Sequence, residues 1–291
     1  MKINDAIQEF LNLSKLNKKP GSFAYDKSKI MHFKKWLDAN KGFLTIDQIT
    51  KETIIDYLFH LKKTCVSNTV NKHLKVIKLF YSTLNINFED LYQLKNLKER
   101  VKSFDMIDFN LLKPMTHYVL NLNSNIGNNL LYKGIYCLLI DTGARIGEIL
   151  NIEKRNIDFN NNRILLKQTK NSEERYVYFT NELSGLIIKE IMARKVNSKY
   201  LLHNYITDQR ANYGQAKYFI NNELRNRFNL RKLHPHMFRH TVATYWIEHG
   251  ADVLFVQKIL GHKNIKTTTI YVHASDEHRK KIYDKVSFKS K

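Results

Sequence analysis

Cysteine and long apolar runs are scarce in this sequence. Only two cysteines occur in its 291 residues, and both lie within apolar helical patterns, so neither a disulfide framework nor a cysteine zinc site is predicted. The longest strongly apolar stretch, residues 135–140, is too short to span a bilayer. The amino terminus carries charges where a signal peptide needs an apolar run. Together these absences favour a cytosolic protein.

Acidic residues are also few relative to basic ones. Lysine and arginine number 48 against 27 aspartates and glutamates, which gives a formal net charge of +21 and a pI near 9.7. The basic residues are distributed over both halves of the chain, so the charge is not confined to a tail. A nucleic acid is therefore the expected partner, because each phosphate that a basic side chain neutralises releases counterions and adds affinity.

The first 97 residues have the apolar periodicity of a small helical domain. The pattern predicts four helices, over residues 4–16, 25–40, 51–63 and 67–84. In the last helix an apolar stripe recurs at helical spacing, formed by Val70, Leu74, Ile77, Tyr81 and Leu84. Lys72, Lys75 and Lys78 lie off this stripe, where they form either a phosphate-binding surface or a solvated face.

A polar, basic segment without proline or glycine, residues 98–107, interrupts this periodicity and is the predicted interdomain linker. Residues 108–291 form the second predicted domain, with helices near 108–122, 130–142, 181–195, 211–229, 235–249, 252–260 and 275–286. Two short runs, 163–167 and 175–180, flank a polar turn and predict a β-hairpin. The expected fold is therefore mainly α, with a helical amino-terminal domain and a mixed α/β domain that contains a small antiparallel sheet.

The segment TGARIGE in the second domain suits chemistry on a phosphodiester. Exchange of phosphodiester bonds without a metal needs cations around the phosphate, a nucleophile and a proton donor for the leaving oxygen. Arg145 follows a glycine turn in this segment, and its planar guanidinium can bind two phosphate oxygens at once. By itself, however, the segment is better explained by a surface salt bridge between Arg145 and Glu148.

A second cluster, HPHMFRHTVAT, contains two histidines and an arginine within about one helical turn. His236 and Arg239 share a helix face, and a histidine beside an arginine can clamp a phosphate. His236 and His240 also have the spacing of a helical zinc pair. Against zinc, Met237 stands where the usual hydrolytic motif has a glutamate, and no third ligand is evident in the sequence.

A third stretch, LGHKNIKTTTIYVH, contains His262 after a glycine turn and Tyr271 nine residues later. Tyr271 is one of 16 tyrosines, and a phenol with an ordinary pKa of about 10 is a poor nucleophile at neutral pH. Cations or a base close to it in the fold would have to share its proton.

Taken together and in this order, ARIGE, a lysine in the β-turn, HMFRH, LGH and IYVH resemble the tyrosine recombinase (phage integrase) family. The match is close over residues 142–273. The amino-terminal domain resembles that family's core-binding domain only in helix number and basic character. The resemblance implies a two-domain, C-shaped clamp around double-stranded DNA, in which residues 108–291 are the catalytic domain.

The resemblance also implies a role for each matching residue. Arg145 and Arg239 would hold the scissile phosphate. His236 would assist proton transfer at the nucleophile, and His262 would hydrogen-bond a phosphate oxygen. Tyr271 would attack the phosphorus and leave a 3′-phosphotyrosyl bond with a free 5′-hydroxyl. The hydroxyl of a partner strand can reverse this step, so no nucleotide, metal or other cofactor is expected.

The family's remaining catalytic residue is a lysine in the hairpin turn, which protonates the departing 5′ oxygen. Lys167 and Lys170 both occur there. Lys170 is favoured because it stands five residues before Arg175, as in the family, whereas Lys167 ends a strand. Glu148 follows the family's RxGE pattern and is expected to be structural.

The length of the chain resembles that of the shorter Xer-type recombinases, without an additional arm-binding domain. The residues after Tyr271 suffice for a helix donated to a neighbouring subunit, which implies a tetramer, of one recombinase or of two related ones, on two DNA sites. A DNA translocase is a further partner that the resemblance suggests. It leaves open whether the role is chromosome dimer resolution or movement of a mobile element. The alternatives are DNA relaxation by a type IB topoisomerase and DNA binding without catalysis.

Overall fold

The computed structural model describes residues 1–42, 45–98, 104–167, 174–194 and 196–271. The chain divides into two units, Met1–Lys102 and Ser103–Lys291, and each has its own hydrophobic core. None of the helices within the described ranges combines the length and the apolar character that a bilayer-spanning segment requires.

Helices build the amino-terminal unit: α1 (Ile3–Asn17), α2 (Pro20–Asn40), α3 (Lys51–Lys62), α4 (Ser67–Thr83) and α5 (Glu89–Gln93). The first four confirm the predicted helices, although α2 begins earlier than predicted. Its first residue is Pro20, and proline is tolerated there because an N–H in the first turn has no intrahelical partner. The short helix α5 has too few residues for a recognisable periodicity.

The apolar stripe of α4 lies in the core of this unit. Four of its members are at most 2% exposed: Val70, Leu74, Ile77 and Tyr81. The helix packs among α1, α2 and α3. Lys72 and Lys75 are exposed. Lys78 differs from them, because its ammonium donates a hydrogen bond to the backbone carbonyl of Leu94 at 2.7 Å. Of the three lysines, Lys72 and Lys75 are therefore the better placed to meet a phosphate.

The carboxy-terminal unit combines helices with short strands. Its described elements are α6 (Phe109–Leu120), α7 (Asn129–Thr142), α8 (Ile146–Ile149), β1 (Ile157–Asp158), β2 (Arg163–Leu166), β3 (Arg175–Tyr178), α9 (Leu186–Ala193), β4 (His203–Asn204), β5 (Gln209–Arg210), α10 (Tyr213–Tyr218), α11 (Arg225–Arg227), α12 (Pro235–Glu248), α13 (Val253–Leu260) and α14 (Lys266–Thr269). Helix α7 is buried on nearly all sides, and α6, α9 and α12 pack around it. This centre is where the apolar run of residues 135–140 lies.

The two strands of the predicted hairpin are confirmed. Strands β2 and β3 pair antiparallel, with Arg163 opposite Tyr178 and Leu166 opposite Arg175, and β1 adds to the other edge of β2. Lys170, which was predicted to lie in the turn of this hairpin, lies outside the described residues. A second small sheet, of β4 and β5, was not predicted, because strands of two residues leave no detectable alternation.

Two of the predicted helices contain a π-helical stretch. The helix predicted at residues 181–195 begins with one at Asn181–Gly185 and continues as α9. The helix predicted at 211–229 is α10, a π-helical stretch at Phe219–Leu224 and α11 in one run. Apolar periodicity indicates that such a segment is helical. It does not distinguish a π-helical turn, which contains about one extra residue, from an α-helical turn. The helix predicted at 275–286 lies outside the described residues.

The end of the predicted linker packs within the carboxy-terminal unit. The backbone N–H of Ile107 donates to Oγ1 of Thr241 on α12 at 2.8 Å, and the Ile107 side chain is buried. Phe104 packs against the small cluster of buried side chains that includes Tyr271. The residues just before α6 are therefore held against α12 and the segment that carries Tyr271.

Candidate active site

The turn that ends α7 positions Arg145. Gly143 closes the helix with a φ of +61°, in the left-handed region that favours glycine. A Cβ at this position would lie 3.0 Å from the side chain of Leu260 and 3.3 Å from that of Trp246. Both conformation and space therefore require glycine. Two residues later Arg145 is the N-cap of α8, and its side chain is 32% exposed.

Glu148 links Arg145 to a second arginine, Arg175 on β3. The Glu148 carboxylate accepts hydrogen bonds from Nη1 of Arg145 at 3.1 Å and from Nη1 and Nη2 of Arg175 at 3.0 and 2.7 Å. It also accepts the backbone N–H of Arg145 at 2.9 Å. Burial opposes ionisation of this carboxyl, but the hydrogen bonds and charges of both arginines outweigh it, so the pKa of Glu148 is lowered. The salt bridge expected from the sequence is present, and Arg175 is a partner that the motif did not indicate.

Arg239 is buried and joins the ends of two helices. Its Nη1 donates to the carbonyl of Gly143 at 3.0 Å and its Nη2 to the carbonyl of Leu260 at 2.7 Å. Burial and the charge of Arg145 lower the pKa of Arg239, but a guanidinium stays cationic at neutral pH. Within the described ranges, the other guanidinium nitrogens of Arg145 and Arg239, except the one bound to Glu148, have no protein acceptor. These nitrogens are therefore available to an anion.

The left-handed turn at Gly261, with a φ of +67°, positions His262. An added Cβ there would lie 3.0 Å from the guanidinium of Arg175, whose Nε donates to the carbonyl of Ile259 at 2.7 Å. Nδ1 of His262 lies 2.8 Å from Oγ1 of Thr268. Burial, followed by the charges of three neighbouring arginines, lowers the pKa of His262 to about 3. Its ring is therefore neutral at neutral pH.

Tyr271 lies just after α14 and is 1% exposed. The ring of Phe104 meets its ring edge-on at a centroid distance of 5.0 Å, and the ring of His262 lies nearly parallel to it at 6.3 Å. Burial raises the pKa of Tyr271, whereas the charges of Arg239 and Arg145 act in the opposite direction without cancelling that increase. The phenol is therefore protonated at neutral pH and lies within the field of both arginines.

The phenol oxygen of Tyr271 has a hydrogen-bonding neighbour that the sequence did not assign to catalysis. Nδ1 of His240 lies 2.8 Å from it. Burial, followed by the charges of His236 and Arg239, lowers the pKa of His240 to about 4, so this ring is also neutral at neutral pH. A helical pattern shows that His236 and His240 lie one turn apart, but it does not show which of them meets a side chain from another element.

The structure gives less information about the remaining predicted site residues, His236, Lys167 and Lys170. His236 has an exposed side chain, and its ring centroid is 6.4 Å from that of His240. Some loss of hydration and the charge of Arg239 lower its pKa. Lys170 lies outside the described residues, and Lys167 is exposed at the end of β2. The roles predicted for His236 and Lys170 stay predictions.

The site as a whole combines two buried or half-buried arginines, a protonated phenol and neutral histidines. Among the residues that the structure describes, no group of three or more histidine, cysteine, aspartate or glutamate side chains is arranged to hold a metal ion. An anion held by Arg145 and Arg239 would lie in the electrostatic field that also reaches the Tyr271 phenol. Such an arrangement suits nucleophilic attack on a phosphate.

Two family models match the sequence. The Phage integrase family matches residues 115–278, which include every predicted site residue, and the Phage integrase SAM-like domain matches residues 2–83. The first match covers most of the carboxy-terminal unit, and the second covers α1 to α4.

Individual relatives extend over most of the chain. A probable integrase/recombinase of Acholeplasma phage L2 is 29% identical over 290 residues, 98% of each chain. The tyrosine recombinase XerC of Staphylococcus aureus is 30% identical over 231 residues, which cover 78% of this chain and 76% of the relative. Among solved structures, the Tn1549 transposon integrase in complex with transposon right end DNA has a TM-score of 0.73 at 16% identity and covers 97% of this chain and 99% of that one. This structural likeness confirms the predicted fold class.

Proposed function

The chain belongs to the phage integrase family of tyrosine recombinases, and we propose that it cleaves and rejoins DNA at specific sites through a covalent bond between Tyr271 and a 3′-phosphate. The observation that carries this proposal is the position of the Tyr271 phenol, which lies in the field of Arg145 and Arg239 and beside neutral histidines. Family membership and this cluster together make site-specific recombination the function of the chain.

In the proposed reaction Arg145 and Arg239 hold the non-bridging oxygens of the scissile phosphate. Their charges stabilise the pentavalent transition state; removal of one hydrogen-bond donor from a transition-state oxyanion typically slows an enzyme by roughly 10²–10³-fold. His262 donates a hydrogen bond to a phosphate oxygen through Nε2, which carries the proton when Nδ1 accepts from Thr268. His236, exposed at the start of α12, assists proton transfer at the Tyr271 phenol.

The departing 5′ oxygen needs a proton, and we assign this donor to Lys170 in the β2–β3 turn. The released 5′-hydroxyl can attack the 3′-phosphotyrosyl bond, or the hydroxyl of a partner strand can do so instead. The second route exchanges strands. Because the energy of the phosphodiester is kept in the covalent intermediate, neither route requires a nucleotide.

Double-stranded DNA is the proposed substrate of both domains, the core-binding domain of residues 1–97 and the catalytic domain of residues 108–291, with residues 98–107 between them. The net charge of +21 supports binding to the phosphate backbone. In the amino-terminal domain Lys72 and Lys75 are the proposed phosphate contacts on α4, because both are exposed.

A tetramer on two DNA sites is the proposed active assembly. Helix α13 packs against α14. Two apolar side chains of α13 and two that flank α14 are exposed: Leu254, Phe255, Ile265 and Ile270. The carboxy-terminal segment of a neighbouring subunit could cover them. A DNA translocase partner and a cytosolic location stay predictions. Sedimentation of the protein on two synapsed duplexes, compared with one duplex, measures the stoichiometry.

A covalent-trapping experiment tests the proposed function. The binding site is first selected from random duplexes, and a nicked duplex carrying the selected site is then used, so that cleavage releases a short fragment and traps the protein on DNA. We expect a protein–DNA adduct in the presence of chelator, complete loss of the adduct in Tyr271→Phe, and an unchanged adduct in Tyr218→Phe, an exposed control. An adduct that survives Tyr271→Phe contradicts the assignment of the nucleophile.

The same reagents separate recombination from the alternatives. Exchange of strands between two labelled duplexes is expected of a recombinase. Relaxation of plasmids without the selected site, with no strand exchange, would instead identify a topoisomerase activity. Binding to the selected duplex without any adduct would indicate a protein that binds DNA without catalysis.

A further inference from the structure

Arg175 on β3 is a basic residue of the site that has no role in the proposed reaction. Its Nη1 and Nη2 bind the Glu148 carboxylate, which also accepts from Nη1 of Arg145, and its Nε donates to the carbonyl of Ile259 at the end of α13. We propose that Arg175 is a positioning residue for strand cleavage, which fixes Arg145 and His262 relative to each other without contacting the DNA. This inference rests on the proposed function.

The connection from Arg175 to Arg145 runs through Glu148. Oε1 of Glu148 accepts from Nη1 of Arg145 at 3.1 Å and from Nη1 of Arg175 at 3.0 Å, and Oε2 accepts from Nη2 of Arg175 at 2.7 Å. The pair between Arg175 and the carboxylate is bidentate, so the carboxylate cannot turn without breaking one of its bonds. Because the side chains of Glu148 and Arg175 are 5% and 10% exposed, water competes little for these bonds. Arg175 therefore holds the acceptor that orients the guanidinium of Arg145.

The turn that carries His262 closes the end of α13. The last four carbonyls of a helix have no partner inside the helix. Two of these carbonyls in α13 accept backbone N–H groups of the turn itself, Gln257 from His262 at 3.1 Å and Lys258 from Gly261 at 3.1 Å. This pair of bonds is a Schellman motif. It satisfies half of the open carbonyls and leaves the last two to other parts of the chain.

Arginines from other elements satisfy those last two carbonyls. Ile259 accepts from Nε of Arg175 at 2.7 Å, and Leu260 accepts from Nη2 of Arg239 at 2.7 Å. A positive charge is favoured at this end of a helix, where the helix dipole is negative. The two guanidinium groups thus hold the helix end from which the turn to His262 departs. Of these two, Arg239 is a proposed ligand of the phosphate and Arg175 is not.

The turn itself also lies against Arg175. A Cβ built at Gly261 would lie 3.0 Å from Nε, Cζ and Nη1 of the Arg175 guanidinium. The backbone of Gly261 therefore rests on this group with no side chain between them, and His262 is the next residue. A displacement of the guanidinium displaces the backbone that directs the His262 ring.

Lysine cannot reproduce this arrangement. An ammonium is one compact group of donors on a flexible stem, whereas the planar guanidinium offers donors in two directions at once. Nη1 and Nη2 of Arg175 face Glu148 while Nε faces the carbonyl of Ile259. A lysine at position 175 therefore keeps the positive charge but loses one of the two connections.

The test measures single-turnover cleavage of the selected, nicked duplex by the full chain at saturating protein. We expect Arg175→Lys to cleave roughly 10²-fold more slowly, the usual effect of misplacing a catalytic group by about 1 Å, with unchanged affinity for the duplex. Arg163→Lys is the matched control, because Arg163 lies on the neighbouring strand β2 and pairs with Asp158 at 3.0 Å. This control is expected to cleave at the wild-type rate.

A double-mutant cycle distinguishes a positioning residue from a phosphate ligand or a merely structural residue. A residue that acts through His262 has less to contribute once that side chain is absent, whereas independent effects multiply. We therefore expect the slowing caused by Arg175→Lys to be about tenfold smaller in the His262→Ala background than in the wild type. Equal slowing in both backgrounds would overturn the proposal.

Three results with the single variants would also overturn it. The first is a wild-type rate in Arg175→Lys, because the charge beside Glu148 would then be sufficient. The second is a loss of duplex affinity that accounts for the slower cleavage. The third is equal slowing in Arg163→Lys, because cleavage would then respond to any arginine of this sheet.

Urea unfolding and duplex binding establish that each variant is folded under the conditions of the assay. If Arg175→Lys does not fold, the double variant Glu148→Gln/Arg175→Gln replaces it, because no charge is then left buried without a partner. This double variant is also expected to cleave more slowly, and a wild-type rate would overturn the proposal. If the wild-type protein forms no adduct, the proposed function fails; if it forms one and the Arg175 variants match it, only the role of Arg175 fails.

Discussion

Replacement of Glu148 by glutamine tests how the cationic site is held together. Glutamine has nearly the same shape, but it offers an N–H donor where one carboxylate oxygen now accepts from Arg175 and from the backbone of Arg145. Donor would then face donor, and two arginines would lose their counter-charge. The Glu148 side chain is 5% exposed and that of Arg175 is 10% exposed, so water can replace little of what is lost.

The expected loss of stability is large for a single substitution. Removal of one partner from a buried ion pair costs about 3–5 kcal/mol. Because one oxygen of glutamine can still accept from Arg175, we expect the lower end of this range, about 3 kcal/mol. For a domain of this size that corresponds to a fall in melting temperature of roughly 6–12 °C.

The two tryptophans allow the assay to follow one unit at a time. Trp36 lies in the amino-terminal unit and Trp246 in the carboxy-terminal unit. In a Trp36→Phe background the fluorescence of Trp246 reports unfolding of the unit that contains Glu148. Urea unfolding of this protein, with and without Glu148→Gln, then measures the difference in the free energy of unfolding.

Glu153→Gln is the matched control. Glu153 also pairs with two basic side chains, but these are exposed, at 74% for Arg155 and 65% for Lys199. Such pairs contribute about 0–1 kcal/mol. Equal unfolding free energies for the two glutamine variants would refute the structural role of Glu148.

The pH dependence gives a second check on Glu148. Its pKa is lower in the folded chain than its ordinary value of 4.5, so its contribution to stability is complete above pH 4.5 and is lost as the pH falls through the folded value. The advantage of the wild-type protein over Glu148→Gln should therefore narrow in acid. An advantage that grows in acid would contradict this sign.

Three further predictions concern other parts of the chain. His73 is buried, and burial lowers its pKa to about 4 from 6.5. The contribution of the neutral ring to the stability of the amino-terminal unit should therefore be complete above pH 6.5, and up to roughly 3 kcal/mol should be lost as the pH falls to about 4. Urea unfolding followed by the fluorescence of Trp36 measures this loss. Gly261→Ala should reduce the free energy of unfolding by about 1–2 kcal/mol and slow cleavage, because an added Cβ is strained at positive φ and crowds the guanidinium of Arg175. The Cβ of Gly147→Ala meets open space, so this variant should leave the free energy of unfolding nearly unchanged. The double variant Lys72→Ala/Lys75→Ala should bind the selected duplex more weakly, with the slope of log affinity against log salt reduced by about 2; an unchanged slope would show that these lysines form only a solvated face.

Local patterns were sufficient for most of the helices. The stripe that begins at Val70 predicts α4 almost to its ends, because burial of one helix face repeats every three to four residues in the sequence itself. The hairpin strands were also predictable from local sequence, because the two strands that pair are close in the chain. Strands of two residues and π-helical stretches were missed, because they are too short to impose a period.

Long-range contacts set the limits of the sequence-based description of the site. Arg175 and Glu148 are 27 residues apart, and Phe104 contacts a tyrosine from the other end of its unit. No local period relates such pairs. The segment just before α6 looked like a linker because it is polar and lacks a pattern, yet Ile107 within it is buried against α12.

The sequence by itself determined the family, the order of the chemically capable residues and the helix on which His236, Arg239 and His240 lie. Only the tertiary structure decided which histidine contacts Tyr271. His236 and His240 are one turn apart and nearly on the same face, so helical geometry alone cannot choose between them. The choice depends on where the left-handed turn at Gly261 directs the chain before it reaches Tyr271, and that path is fixed by packing against other elements.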